Sequence, residues 1–169
     1  MLKKETRILG LSSPRKTRFK PVIGAIFRGS LWLDAIVTYL PVKSFEDDTP
    51  RLAAALKKTK QYSQIQAAIF SREDILEHGY HDYRRLSELV KFPIFAITKN
   101  PLGRVPESEF VRILRDGSRI MLWINGYNPN RAIELYNLGC TKGHSTPEAV
   151  RVAELIAARC GKYPESSNT

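Results

Sequence analysis

The sequence has little cysteine and no long apolar run, and each shortage excludes a class of protein. Its two cysteines, Cys140 and Cys160, form no Cys-x-x-Cys pair, so we expect neither a disulfide framework nor a zinc ribbon. No stretch approaches the roughly 20 consecutive apolar residues of a membrane-spanning helix. The first residues also lack the apolar core of a signal peptide. We therefore expect a protein of the reducing cytoplasm that has no membrane partner.

Two common catalytic motifs are also missing. The chain has no Gly-x-x-x-x-Gly-Lys-Ser/Thr run, so phosphate binding of the P-loop type is not indicated. It has no Gly-x-Ser-x-Gly elbow, and Ser12 and Ser13 have no base beside them in the sequence. Neither nucleotide hydrolysis nor a serine nucleophile is predicted.

Positive charge, by contrast, is abundant and unevenly distributed. The net charge is +10. Residues 1–28 hold eight basic residues and one acidic residue, whereas residues 29–48 hold one basic and four acidic residues. The run 15–20 places four cations around Phe19, and such a run can neutralise phosphates while the ring stacks on an unpaired base. A solvated hairpin loop with Phe19 in the core is the alternative. We predict nucleic acid, DNA or RNA, as the partner, with phosphate contacts from Arg15, Lys16, Arg18, Lys20 and Arg28.

The order of apolar segments predicts a single α/β domain over residues 5–161, followed by a frayed tail over 162–169. Strands are predicted at 8–11, 22–28, 31–40, 66–70, 93–98 and 119–124, and helices near 49–59, 83–90, 106–114, 129–139 and 147–160. Two hairpin connections followed by crossovers imply a mixed sheet with a parallel half, flanked by helices.

Several segments in this order resemble a known family. They are residues 8–13, 24–30, 33–35, 91–97 and 147–157, the last of which reads Pro-Glu-x-x-Arg-Val-Ala-x-Leu-Ile-Ala. Over residues 5–161 the chain resembles the archaeal "domain of unknown function 99" family, which is related to endonuclease V. The resemblance implies a ribonuclease H-like sheet and nucleic acid as the substrate class.

The chain departs from that family at the metal site. The relatives carry an aspartate after the glycine of strand one and another near the end of the strand that follows the first helix. The matching positions here are Ser12 and Ser71. A serine offers an oxygen without the charge that Mg²⁺ prefers and that metal-assisted cleavage needs. We therefore predict a catalytically degenerate nucleic-acid-binding protein with no resident cofactor.

Two alternatives stay open. Asp34, Asp48 and Asp74 could form a relocated Mg²⁺ or Mn²⁺ site for an endonuclease, although Asp48 also suits a helix cap. The long hairpin around Trp32 and Tyr39 could instead serve a protein-interaction module or a homodimer.

Histidines supply two weaker candidate sites. His78 and His81, with Asp82, have helical spacing but no third ligand, so we interpret them as surface residues. Lys142 and His144 lie in a loop that leads into a helix N-terminus, where backbone N–H groups favour anions. They could contact a phosphate, or the loop could be an ordinary capped turn.

Overall fold

The computed structural model describes residues 5–14, 21–40, 48–71, 82–98 and 105–160. Within them lies one mixed sheet with the strand order β3-β2-β1-β4-β5-β7-β6. β1, β4 and β5 are parallel neighbours, and the other pairs are antiparallel. The strands are β1 (Arg7–Ser12), β2 (Val22–Arg28), β3 (Trp32–Tyr39), β4 (Ile65–Ser71), β5 (Ile94–Thr98), β6 (Phe110–Arg115) and β7 (Ser118–Trp123).

Helices cover both faces of the sheet. They are α1 (Thr49–Lys57), α2 (Tyr83–Leu89), α3 (Pro129–Gly139) and α4 (Glu148–Cys160). The side chains of Asp82 and Asn128 cap α2 and α3 by accepting from backbone N–H groups in the first turn. None of the described helices is long and apolar enough to cross a membrane.

The core consists of two apolar layers, one on each face of the sheet. One layer joins β1 and β4 to α1 and α2, and the other joins them to α3 and α4. Because both faces of β1 and β4 are covered, these strands are continuous apolar runs rather than alternating ones. The predicted mixed sheet flanked by helices is confirmed.

Helix α4 touches β1 at Gly10. A Cβ at this position would lie 2.1 Å from the backbone carbon of Ala149 and 2.3 Å from the backbone nitrogen of Val150. No side chain fits such an approach, so glycine lets the helix rest on the strand. The contact fixes the position of β1 against α4 at Gly10, two residues before Ser12, the last residue of the strand.

One predicted element is wrong. Residues 106–114 were expected to form a helix, but Glu107–Glu109 is a single 3₁₀ turn and strand β6 follows it. Asp116 and Gly117 both have positive φ, 47° and 76°, which is the geometry of a tight hairpin turn. That turn pairs β6 with β7, so the sheet gains an antiparallel edge in place of a crossover helix.

The turn predicted at Gly29 is present, and its φ is 57°. The predicted tail lies outside the described residues.

Candidate nucleic-acid interface

Three hydroxyl side chains end the parallel strands of the sheet. Ser12 is the last residue of β1, Ser71 of β4 and Thr98 of β5. The registers pair Leu11 with Phe70 and Ser71 with Ile97, so the three strand ends are neighbours. Ser12 and Thr98 are buried and Ser71 is half-buried. We call this edge, where β1, β3, β4 and β5 all end, the carboxyl end of the sheet.

A buried carboxylate lies at the same end. Asp48 precedes α1 and is only 1% exposed. Its Oδ2 accepts a hydrogen bond from the hydroxyl of Tyr39, the last residue of β3. Its Oδ1 has no hydrogen-bond partner among the described residues, and the side chain does not cap its own helix. Burial, then the hydrogen bond to Asp48, raises the pKa of Tyr39 well above its usual value, so this hydroxyl stays a donor.

Asp34 lies at the other end of the sheet. It precedes Tyr39 by five residues along β3, which corresponds to about 17 Å at the usual rise per residue. Its carboxylate accepts from Arg7 Nε at 2.7 Å and from Arg28 Nε at 2.8 Å. The structure therefore does not bring Asp34 and Asp48 together. Asp74, the third carboxylate of the relocated site, lies outside the described residues.

The predicted phosphate contacts fall in different places. Arg28 is half-exposed but ion-paired with Asp34 at the end of the sheet remote from Ser12 and Ser71. The run 15–20 lies outside the described residues, which resume at Pro21 just before β2. Phosphate binding by Arg15, Lys16, Arg18 and Lys20 stays a prediction.

Lys142 and His144 are exposed on the turn that leads to α4. The first turn of that helix already carries a buried carboxylate, Glu148, which accepts from Thr141 Oγ1 at 3.0 Å and from Arg151 Nη2 at 2.6 Å. The hydrogen bond from Arg151 is the main reason that the pKa of Glu148 is lowered. An anion entering here would meet this carboxylate, and phosphate contact by Lys142 and His144 stays a prediction.

The described donor set does not fit a magnesium ion. No group of three His, Cys, Asp or Glu side chains comes together within the residues that the structure describes. At the carboxyl end the strands end in neutral hydroxyls, and the carboxylate of Asp48 is only 1% exposed. Asp82 lies beside them, since its backbone N–H donates to Thr49 Oγ1 at 2.7 Å, but its carboxylate accepts from the first turn of α2. These residues offer little accessible anionic oxygen of the kind that binds Mg²⁺. His78 and His81 lie outside the described ranges.

Neither cysteine joins a site among these residues. Both are free thiols, Cys140 buried and Cys160 half-buried. Burial raises the pKa of Cys140 to about 12, so its thiol remains protonated at neutral pH.

Sequence reasoning missed two features of this end. Thr98 was assigned only to a strand, although the parallel crossovers that place Ser12 beside Ser71 place a third strand end next to them. The Tyr39–Asp48 contact was also missed. Its one signal was the alternation that puts Ala35, Val37 and Tyr39 on the face that α1 covers.

The sequence has relatives among archaeal proteins. No protein-family model matches the sequence. A UPF0215 protein of Methanothermobacter thermautotrophicus is 26% identical and is aligned over 93% of this chain and 88% of its own length. A UPF0215 protein of Methanopyrus kandleri is 23% identical over 99% of this chain and 97% of its own length. The chain has archaeal homologues among the UPF0215 proteins. The label "domain of unknown function 99" stays a prediction beside these UPF0215 relatives.

Solved structures show the same fold at low identity. A protein of unknown function from Archaeoglobus fulgidus superposes with a TM-score of 0.72 at 18% identity, covering 93% of this chain and 99% of that one. Endonuclease V of Ciona intestinalis, solved with a 24mer DNA containing an inosine followed by a ribo-adenosine, superposes with a TM-score of 0.62 at 11% identity. That match covers 91% of this chain and 84% of the other. The fold of this chain is thus ribonuclease H-like and similar to that of endonuclease V.

Proposed function

We propose that the chain is a nucleic-acid-binding protein that has lost metal-dependent cleavage. The observation that carries the proposal is the pair of neighbouring serines, Ser12 and Ser71, at the ends of parallel strands in an endonuclease V-like sheet. The endonuclease V of similar fold was solved with DNA, which supports nucleic acid as the ligand class.

Hydroxyls suit a phosphate better than carboxylates do when no cation is present. A serine can donate to a phosphate oxygen, whereas an aspartate repels it unless a metal ion stands between them. The basic run 15–20 follows Ser12 and adds sequence-independent attraction for the phosphate backbone. Together these features favour binding that does not depend on a divalent ion.

Charge reversal tests where the nucleic acid binds. We measure affinity for a fluorescent single-stranded oligonucleotide by anisotropy in EDTA. The logarithm of the binding constant should fall linearly with the logarithm of the salt concentration, with a slope that reports the number of phosphate contacts. The triple change Arg15→Glu, Lys16→Glu and Arg18→Glu should flatten the slope by about 2, since each phosphate contact contributes roughly 0.7.

A matched triple controls for net charge. Lys57→Glu, Lys58→Glu and Lys60→Glu make the same change in charge at exposed positions where α1 ends, away from Asp48 and Tyr39. We expect this variant to keep nearly all of the wild-type slope. Equal flattening by both triples would mean that binding follows net charge alone and would overturn the proposed location.

A single position tests the role of the hydroxyls. Ser71→Asp should weaken binding in EDTA by about tenfold, because it places a negative charge against the phosphate. Ser71→Asn introduces a side chain of nearly the same shape as aspartate but without its charge. The affinity of this variant should stay within about threefold of wild type. If the two variants bind alike, Ser71 does not face the nucleic acid.

The loss of cleavage is tested separately. Wild-type protein is incubated with inosine-containing DNA and RNA in Mg²⁺ and in Mn²⁺, and no cleavage is expected. Cleavage that disappears in Asp48→Asn would overturn the degenerate assignment and would mean that a site containing Asp48 supports catalysis.

A further inference from the structure

The outer edge of β3 is apolar and uncovered within the residues that the structure describes. β3 is the terminal strand of the sheet, so only β2 pairs with it. Helix α4 packs mainly on β1 and β2 and leaves this strand at the margin. Five large apolar side chains are exposed on residues 31–40, which we call the β3 edge: Leu31, Trp32, Leu33, Ile36 and Leu40.

The β3 edge is nearly neutral in a strongly basic protein. Residues 31–40 contain one charged side chain, Asp34, and the guanidinium groups of Arg7 and Arg28 neutralise it. Natural sheets usually protect an edge with charges, proline or a covering element. Residues 32–39 contain no lysine, arginine or proline, so another strand can approach the edge without burying an unpaired charge.

We propose that a second copy of this chain occupies the β3 edge, with the two β3 strands paired antiparallel about a two-fold axis. Such an interface is isologous, so each copy offers the same apolar surface and the same backbone of an edge strand. The five side chains expose on the order of 600 Å² per copy, against about 800 Å² per partner in a standard stable interface. The paired backbones supply the remainder.

Each copy of the protein carries a net charge of +10, so two copies repel each other and can associate only through a surface that is close to neutral. Charges beyond the β3 edge are screened within about 8 Å at physiological salt, so repulsion elsewhere does not prevent the pairing. The proposal does not depend on nucleic-acid binding, since the β3 edge contains none of the serines or basic residues assigned to that function.

Sedimentation equilibrium tests the second copy directly. Nuclease-treated protein, freed of nucleic acid in high salt, is measured from about 1 to 200 µM, a range that spans ordinary dimer affinities. We expect the mass to rise with concentration from 19.2 kDa towards twice that value. A mass that stays at the monomer value throughout would overturn the proposal, whatever nucleic acid does.

Matched lysine substitutions identify the surface. Ile36→Lys places a charge on the β3 edge and should raise the dimer dissociation constant at least about tenfold. Leu114→Lys makes a similar change on β6, the other edge strand, where the side chain is more exposed. This control should leave the constant unchanged, and equal effects of the two variants would overturn the assignment to β3.

Tryptophan quenching in the wild type covers the case in which Ile36→Lys fails to fold. Trp32 is 67% exposed and Trp123 is 8% exposed, so acrylamide reports chiefly on Trp32. Dilution through the dimer transition should increase quenching. Quenching that does not change with concentration, while the mass doubles, would place the second copy elsewhere.

Discussion

The two ends of the sheet treat their polar side chains differently. At the amino end, where β1, β4 and β5 begin, charges are neutralised within the fold. Asp34 lies between two arginines, and Glu109 accepts from Arg84 Nη2 at 2.6 Å. The hydrogen bond from Arg84 is the main reason that the pKa of Glu109 is lowered. These groups have little capacity left for a ligand.

The carboxyl end contains hydroxyls instead, with the carboxylates of Asp48 and of the helix cap Asp82 beside them. Ser12, Ser71 and Thr98 end three neighbouring strands, and Asp48 has one oxygen without a partner among the described residues. The comparison teaches that abundant charge does not by itself mark a free surface. The charged side chains of the amino end are paired within the fold, whereas the hydroxyls that we propose contact nucleic acid lie at the carboxyl end.

Removing the charge of Asp34 should have the largest effect on stability. Asp34→Asn leaves Arg7 and Arg28 without a neutralising partner in a partly buried setting, at a cost of about 2 kcal/mol. Urea unfolding followed by circular dichroism measures the loss. Asp116→Asn, in the exposed hairpin turn where positive φ suits asparagine, is the control and should cost under about 0.5 kcal/mol. Equal losses would contradict the importance of the Asp34 cluster.

We expect an intermediate loss of stability at Glu148. Both of its carboxylate oxygens accept hydrogen bonds, one from Thr141 and one from Arg151. Glu148→Gln should cost about 1 kcal/mol at pH 7, since it removes the charge that Arg151 and the helix N-terminus stabilise. The pKa of Glu148 is lower in the folded protein than in the unfolded chain, so the unfolded chain binds more protons in the acid range. The stabilisation is present above the ordinary glutamate pKa and is lost as pH falls through the folded value.

Urea unfolding of wild type and Glu148→Gln from neutral to acid pH checks that sign. The difference between the two proteins should shrink as the pH falls below about 4, the ordinary glutamate range. A difference that stays constant across the series would mean that the carboxylate contributes through packing rather than through its charge.

The same chemical change at Asp48 should have the smallest effect. Asp48→Asn keeps an acceptor for the Tyr39 hydroxyl and removes a buried charge with an unpartnered oxygen. We expect a stability within about 0.5 kcal/mol of wild type, in contrast to Asp34→Asn. A loss as large as that of Asp34→Asn would show that Oδ1 has a strong partner beyond the described residues, such as a bound cation.

Local signals predicted most elements of the fold because they act within a few residues. Pro50 and the polar residues before it indicated where α1 begins, and Asn128-Pro129 did the same for α3. The wrong helix arose from a short segment with apolar residues at 110, 111, 113 and 114, a spacing that fits both helix and strand. The Asp116-Gly117 turn decides the case, because it pairs that segment with β7.

The candidate site was only partly predictable, because its geometry depends on register. The order of the strands identified Ser12 and Ser71. Nothing local indicated that Asp34 would meet Arg7 and Arg28, since that contact needs β1, β2 and β3 to pair in one particular alignment. For the same reason, the sequence did not separate Asp34 from Asp48 as members of one site.

The contact between Gly10 and α4 offers a physical reason for the sequence similarity in α4. Ala149, Ala153 and Ala157 recur every four residues along the buried side of α4, and the backbone of Ala149 meets Gly10. Residues 147–157, one of the segments that resemble the domain of unknown function 99 family, contain all three alanines. Similarity in this segment reflects the packing of α4 on the sheet. It does not constrain which residues end the strands. A chain can therefore retain this packing of helix on sheet whatever side chains end its strands, including the serines that end β1 and β4 here.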